Sequence, residues 1–151
     1  MQDKTKISSM VFLQYLSTVF DNLRDTILLV GVEPKEQYRL LLANEAFRKH
    51  TGHLKSDTGK LLSDIVLPDT YRVMAKHYNR AIHTKELVEF SGWFDVPLGR
   101  RAYEVKVIPI LNAMSECVQL AVITHDVSEL YTLRDRLMQI EHIVAPARQE
   151  P

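Results

Sequence analysis

The stretch Leu42-Ala43-Asn44-Glu45-Ala46-Phe47-Arg48-Lys49-His50-Thr51-Gly52 changes its secondary structure partway along, and its reading decides the fold. An apolar strand-like run from Tyr38 ends at Ala43. Asn44 then offers a side-chain oxygen to an orphan N–H of a first helical turn, so a short helix is predicted over Glu45 to His50. Thr51-Gly52 stops it, because glycine takes the left-handed conformation that ends many helices. The passage is a strand-to-helix switch.

Before it, Ile27, Leu28, Leu29 and Val30 form a short apolar run ending at Gly31, and Glu33-Pro34-Lys35-Glu36 reads as a turn. The strand Tyr38 to Ala43 therefore pairs back on the first as an antiparallel hairpin. Earlier still, Met10, Leu13, Leu16, Phe20 and Leu23 recur at helical steps between Ile7 and Leu23. They predict an amphipathic helix with Ser8 or Ser9 as its cap.

After the switch, His53 to Ser63 is small and polar, and Leu61, Leu62, Ile65 and Val66 suggest only a turn or two of helix. Pro68-Asp69 opens a longer helix, Asp69 to about His83, with Tyr71, Met74, Ala75, Tyr78 and Ile82 on one face. Beyond Lys85 the period becomes two. Val88, Phe90, Gly92, Phe94 and Val96 alternate with polar residues, Pro97-Leu98-Gly99-Arg100 turns the chain, and Tyr103, Val105 and Val107 continue the alternation. Pro109 lacks an N–H, which places it at an edge or at the end of regular pairing. Cys117 to Thr124 is nearly all apolar and is expected to be buried on both sides or close to it. From Ser128, Leu130, Leu133, Leu137, Ile140 and Val144 follow a heptad seam until Pro146. This is an α+β pattern with strands two early and three late.

Composition narrows the function. The chain has 151 residues, enough for one domain plus flanking helix. Its 19 basic and 19 acidic side chains cancel, leaving no net field to gather nucleic-acid phosphates or an acidic membrane. No run approaches the apolar length of about 20 residues that a membrane span needs. Cys117 stands alone, which suits a reducing, cytoplasmic setting and excludes an internal disulfide.

In its element order and its local residues the chain resembles the PAS family of sensory modules, found in bacterial sensor kinases and diguanylate cyclases. Leu42 to Phe47 followed by Thr51-Gly52 resembles the family's N-x-A-F helix and T-G stop, Val105 to Pro109 its penultimate strand, and Asp126-Val127-Ser128 its Asp-Ile-Thr ending. The resemblance covers about residues 20–130. It departs at the last hairpin, where Asn112-Ala113-Met114-Ser115 replaces a common glycine, and after Gly52, where a common tyrosine is missing. It implies a five-stranded antiparallel sheet with helices on one face, divided as an N-terminal flanking helix (residues 1–23), a PAS domain (24–127) and a C-terminal signalling helix with its tail (128–151).

The resemblance also implies a small-molecule pocket between sheet and helices. Periodicity points Phe47, Met74, Tyr78, Phe90, Phe94, Tyr103, Val105 and Val122 inward, as pocket lining or as plain core. Tyr78 and Tyr103 are the informative pair, since a buried phenol needs a hydrogen-bond partner that a ligand could supply. Asp126 and Ser128, at the strand-to-helix junction, are the candidate signal-coupling residues, and Leu130, Leu133, Leu137 and Ile140 the dimer seam. The implied assembly is a homodimer through both flanking helices, coupled to an output domain such as a histidine kinase or a GGDEF-type cyclase. A ligand-free interaction and dimerisation domain is the alternative.

Cofactors are not specified, and haem and flavin are disfavoured. Cys117 opens a strand and does not lie in an Asn-Cys-Arg helix of the flavin-photoadduct type. His83 lies off the apolar face of the long helix and His77 at its margin, so both are expected to face solvent, and the haem-binding relatives place their ligand nearer Met74. His50 and His53 lack the further ligands of a zinc site and are expected to be polar side chains facing solvent. Asp57 and Asp64 have no evident shared pocket, and His142 is followed by Ile143-Val144-Ala145-Pro146, unlike a phosphoacceptor H-E-x-R-T-P. No catalytic or metal-binding constellation emerges.

Overall fold

The computed structural model describes residues 2–97 and 99–144, with side chains from residue 8 to residue 142. Helix α1 (Gln2–Asn22) leads into strands β1 (Thr26–Glu33) and β2 (Gln37–Ala43), then helix α2 (Glu45–Thr51). A single 3-10 turn (Lys55–Asp57) and a short helix α3 (Leu62–Ile65) precede the long helix α4 (Pro68–Thr84). Strands β3 (Val88–Val96), β4 (Gly99–Leu111) and β5 (Cys117–Asp126) follow, and helix α5 (Ser128–Val144) leaves the domain. The strands form one antiparallel sheet in the order β2-β1-β5-β4-β3. The predicted α+β, five-stranded architecture is the observed one.

Asn44 explains why the strand-to-helix switch is stable. Its Oδ1 accepts from Phe47 N–H at 3.2 Å, the predicted cap, and also from Ile27 N–H of β1 at 3.0 Å. Its Nδ2 donates to Phe20 O at 3.1 Å and Asp25 O at 2.9 Å. The side chain is wholly buried, and its amide engages both donors and both acceptor positions. Asn44 thus ties the end of α1, the start of β1 and the start of α2 together. Gly52 closes α2 at φ 74°, its N–H reaching Arg48 O at 2.9 Å.

The core lies on one face of the sheet. Leu28, Val30, Leu40, Val88, Val105, Val107, Leu120 and Val122 meet Phe47, Leu62, Tyr78 and Ala81 from α2, α3 and α4. Tyr38 stands edge-on to Tyr78, with ring centroids 5.2 Å apart, and donates its hydroxyl to Asn79 Oδ1. Pro109 pairs with Leu120, yet pairing to β3 ends at Val107, so β4 is an open edge there and needs no N–H from Pro109. Asn112 does the work of the missing hairpin glycine: its Oδ1 accepts from Met114 N–H and Glu116 N–H, while Ser115 takes the left-handed conformation at φ 61°.

Three expectations change. Ser8 and Ser9 lie inside α1, which starts at Gln2, and the apolar side chains of that helix point outward on several sides, Met10, Phe12, Leu13, Tyr15 and Val19 among them. Its last turn is held by Asn44 and by Asp21 Oδ1, which accepts from Glu45 N–H at 3.1 Å. Strand β5 buries one face and not two: Leu120 and Val122 are covered, but Gln119, Ala121 and Ile123 are half-buried and Val118 is exposed. Val144 and Pro146, which end the predicted seam, lie outside the residues whose side chains are described.

Candidate functional site

All eight inward-pointing candidates line one cavity. Phe47 comes from α2, Met74 and Tyr78 from α4, Phe90 and Phe94 from β3, Tyr103 and Val105 from β4, and Val122 from β5. The cavity measures about 110 Å³, and Thr26, Leu28, His50, Thr51, Thr70, Val96 and Thr124 complete its wall. Its exposed wall is almost entirely apolar, and it is not fully enclosed. No Lys, Arg, Asp or Glu is among the lining residues.

Tyr78 is the unusual member. It is 1% exposed, and its hydroxyl has no hydrogen-bond partner among the described residues. Burial, with Tyr38 and Tyr71 nearby, pushes its ionisation far above the ordinary phenol range, so it is a neutral donor at any physiological pH. An orphan buried hydroxyl costs about 1–3 kcal/mol. Its neighbours satisfy every other fully buried tyrosine oxygen: Tyr38 bonds Asn79.

The histidines correct the sequence reading. His50 does not simply face solvent: it lines the cavity, and its Nδ1 lies 3.3 Å from Tyr103 Oη. His53 stacks on Phe47 at 5.2 Å and pairs with Asp57 at 3.3 Å. His77 does not simply face solvent, because its ring lies flat on Phe90 with centroids 3.7 Å apart. Burial there, then Lys76 and Arg80, lowers its proton affinity. His83 is exposed as expected, bonding Asn79 O. Sequence periodicity missed His50 because it follows Phe47 by three residues in a helix too short to show a face; the i, i+3 relation was the available signal.

The junction residues sit where the last strand meets α5. Asp126 Oδ1 accepts from Ser128 N–H at 2.9 Å and so caps the helix, while Arg101 lies 3.3 Å from its other oxygen. Burial opposes ionisation of Asp126, but the Ser128 hydroxyl and amide, Arg101 and His50 outweigh it and hold the carboxyl below its ordinary range. Ser128 Oγ in turn accepts from Ala102 N–H at 2.8 Å, and Val127 N–H bonds Ala102 O at 2.8 Å. Tyr103 and Asp126 are cross-strand partners. A run of contacts therefore links His50 in the cavity, through Tyr103, to the root of α5. The seam residues Leu130, Leu133, Leu137 and Ile140 are all more than half exposed.

Cys117 opens β5, half-buried, with its thiol toward Gln119 O. Among the described residues no group of three His, Cys, Asp or Glu could hold a metal ion, and no helix is long and apolar enough to cross a membrane.

A five-stranded antiparallel sheet in this order, roofed on one face by short helices and one long one, is the architecture of the PAS fold. The PAS fold family profile matches residues 20–132, and the chain belongs to that family. No curated protein sequence matches it. Among solved structures it is similar to the PAS domain of a protein from Colwellia psychrerythraea, at 15% identity and TM-score 0.62, covering 78% of this chain and 98% of that one. It is similar to a sensory box sensor histidine kinase from Vibrio cholerae, at 18% identity and TM-score 0.59, covering 84% and 98%. The phage VqmA–DPO complex gives 13% identity and TM-score 0.63, covering 89% of this chain and 61% of that one. At these identities the likeness is one of fold.

Proposed function

We propose that this chain is a cytoplasmic sensory module that holds a small ligand in its cavity and passes the occupied state through Asp126 and Ser128 to α5 and an output domain. The observation that carries the ligand is the apolar cavity itself, lined by Phe47, Met74, Tyr78, Phe90, Phe94 and Tyr103, beside a Tyr78 hydroxyl that has no hydrogen-bond partner among the described residues. A core residue used only for packing gains nothing from that oxygen, since phenylalanine would fill the same space without the desolvation cost. The phage VqmA neighbour was solved with DPO bound, which supports a ligand in a fold of this kind.

Signal transfer follows from the contacts at the root of α5. A ligand that moves His50 or Tyr103 shifts the strand pair Tyr103 and Asp126, and with it the carboxylate that caps the helix. The exposed seam Leu130, Leu133, Leu137 and Ile140 is the surface through which a homodimer would read that change, with the outward apolar side chains of α1 adding to it. A histidine kinase or a GGDEF-type cyclase is the proposed output, in keeping with the sensor kinase among its structural neighbours.

Native mass spectrometry of the purified protein tests the ligand. A co-purified small molecule, released on denaturation, is expected; a bare polypeptide mass from several expression hosts, with no stabilisation by added cell metabolites, favours the ligand-free interaction domain instead.

A further inference from the structure

We infer that Trp93 is a second point of attachment for α5, and that its contact with Tyr131 sets the direction in which the helix and its seam leave the domain. This inference rests on the signal-transmitting function proposed above and adds a positioning residue to it.

Exposure along α5 locates the contact. Val127 and Ser128 at its root are buried, and among the described side chains from Glu129 to His142 Tyr131 alone is not exposed. Tyr131 meets Trp93 of β3, with ring centroids 6.0 Å apart and planes at 49°. A helix held only at its root can swing about that point. A second contact, about one turn further on, fixes its direction.

Trp93 is placed for this contact by the strand pairing. It lies on the sheet face away from the cavity, since its neighbour Phe94 lines the cavity wall and side chains alternate along a strand. Its cross-strand partner is Ala102, whose N–H and C=O turn away from β3 to meet Ser128 Oγ and Val127 N–H. In such a pair the two backbones exchange no hydrogen bond and the side chains approach most closely. Trp93 therefore stands beside the residue that holds the root of α5. The Arg100 guanidinium, 6.0 Å from the indole centroid, adds a cation–π contact. Trp93 remains 48% exposed, so burial in the core does not account for it.

The same strand reaches the cavity. β3 is an edge strand, hydrogen-bonded to β4 alone, and it places Phe90, Phe94 and Val96 on the cavity wall. A strand with one neighbour has fewer backbone bonds to resist displacement. A change in the cavity that shifts β3 moves Trp93 with it and alters the hold on Tyr131. This path is separate from the one through His50, Tyr103 and Asp126.

Residual dipolar couplings of the backbone amides read the direction of α5 against the sheet. They are measured on the full chain carrying Leu137→Glu and Ile140→Glu, two seam substitutions beyond the contact that keep a second copy from holding the helix. In this parent, α5 and the sheet are expected to fit one common orientation. Trp93→Ala and Tyr131→Ala are each expected to reduce the couplings of residues 132–142 while those of the sheet stay as they were. Tyr131→Phe keeps the ring and should keep the couplings. Tyr131→Ala lies outside the sheet, so the test stands even where Trp93→Ala misfolds. Couplings of α5 that are already reduced in the parent, or unchanged by Tyr131→Ala, overturn the attachment. Trp93 is the only tryptophan in the chain, and its emission tests the link to the cavity. Thr70→Phe, or Thr70→Leu as a smaller addition, fills the cavity from α4 on the far side of the sheet. It is expected to shift Trp93 emission to the red, toward the value seen in Tyr131→Ala; unchanged emission overturns the link. Neither measurement needs a ligand, so failure here is distinct from the bare polypeptide mass that would remove the ligand-holding function.

Discussion

His50 and Tyr103 face each other across the cavity wall, with Nδ1 3.3 Å from the phenolic oxygen and the rings set edge-on at 71°. One belongs to the short helix that the Asn44 switch creates, the other to the strand that pairs with Asp126. Tyr103→Phe removes the polar half of that contact and keeps the ring. The expected cost is about 1 kcal/mol in urea unfolding, together with a change in the amide shift of Ser128. An unmoved Ser128 amide would mean that the contact is not coupled to the helix root.

Ser128→Ala leaves the amide of Ala102 buried without its acceptor, since Ser128 Oγ is the group it donates to. A loss of about 1–3 kcal/mol is expected from chemical denaturation. Ser128→Thr retains the hydroxyl and should recover most of it. Equal losses in both variants would point to packing instead of the hydrogen bond.

Tyr78→Phe acts in the opposite direction on the empty protein. Deleting a buried hydroxyl without a partner should stabilise the ligand-free fold by about 1 kcal/mol. The check is a denaturation curve on protein stripped of small molecules by refolding. Destabilisation would show that the oxygen has a partner.

His77 introduces a pH dependence near neutrality. Burial against Phe90, then Lys76 and Arg80, lowers its folded value below the ordinary one. The unfolded chain then takes up a proton first, so stability is complete above the unfolded value and declines as pH falls through about 6.5. The decline levels off once folded His77 is protonated too. His77→Phe should flatten that part of the stability–pH curve; an unchanged slope would assign it to another group.

The α5 seam predicts association. Leu133→Glu with Leu137→Glu places charge on two exposed leucines and should weaken the dimer at least about tenfold by sedimentation, while thermal unfolding of the domain changes little. A wild-type protein that stays monomeric at high micromolar concentration would remove the dimer.

Much of this was legible in the chain itself. The period-two run Val88 to Val96, the helical face of Tyr71 to Ile82 and the Asn44 cap depend on neighbours a few residues away, and local periodicity reports such neighbours well. The eight cavity residues were also reachable, because alternation along a strand and the stripe along a helix say which side chains point inward. What alternation does not say is whether anything covers the other face. For that reason β5 was expected to be buried on both sides, and its apolar outer residues are only half-covered.

Asn44 marks the boundary between the two kinds of information. The sequence by itself determined that Asn44 caps α2, since the cap needs only the N–H of Phe47 three residues on. Only the tertiary structure brought Ile27 N–H, Phe20 O and Asp25 O to the same amide, set His50 against Tyr103, and left the Tyr78 hydroxyl without a hydrogen-bond partner among the described residues. Those contacts join residues distant in the chain, and their distances depend on how the sheet and its helices pack, which no local pattern encodes.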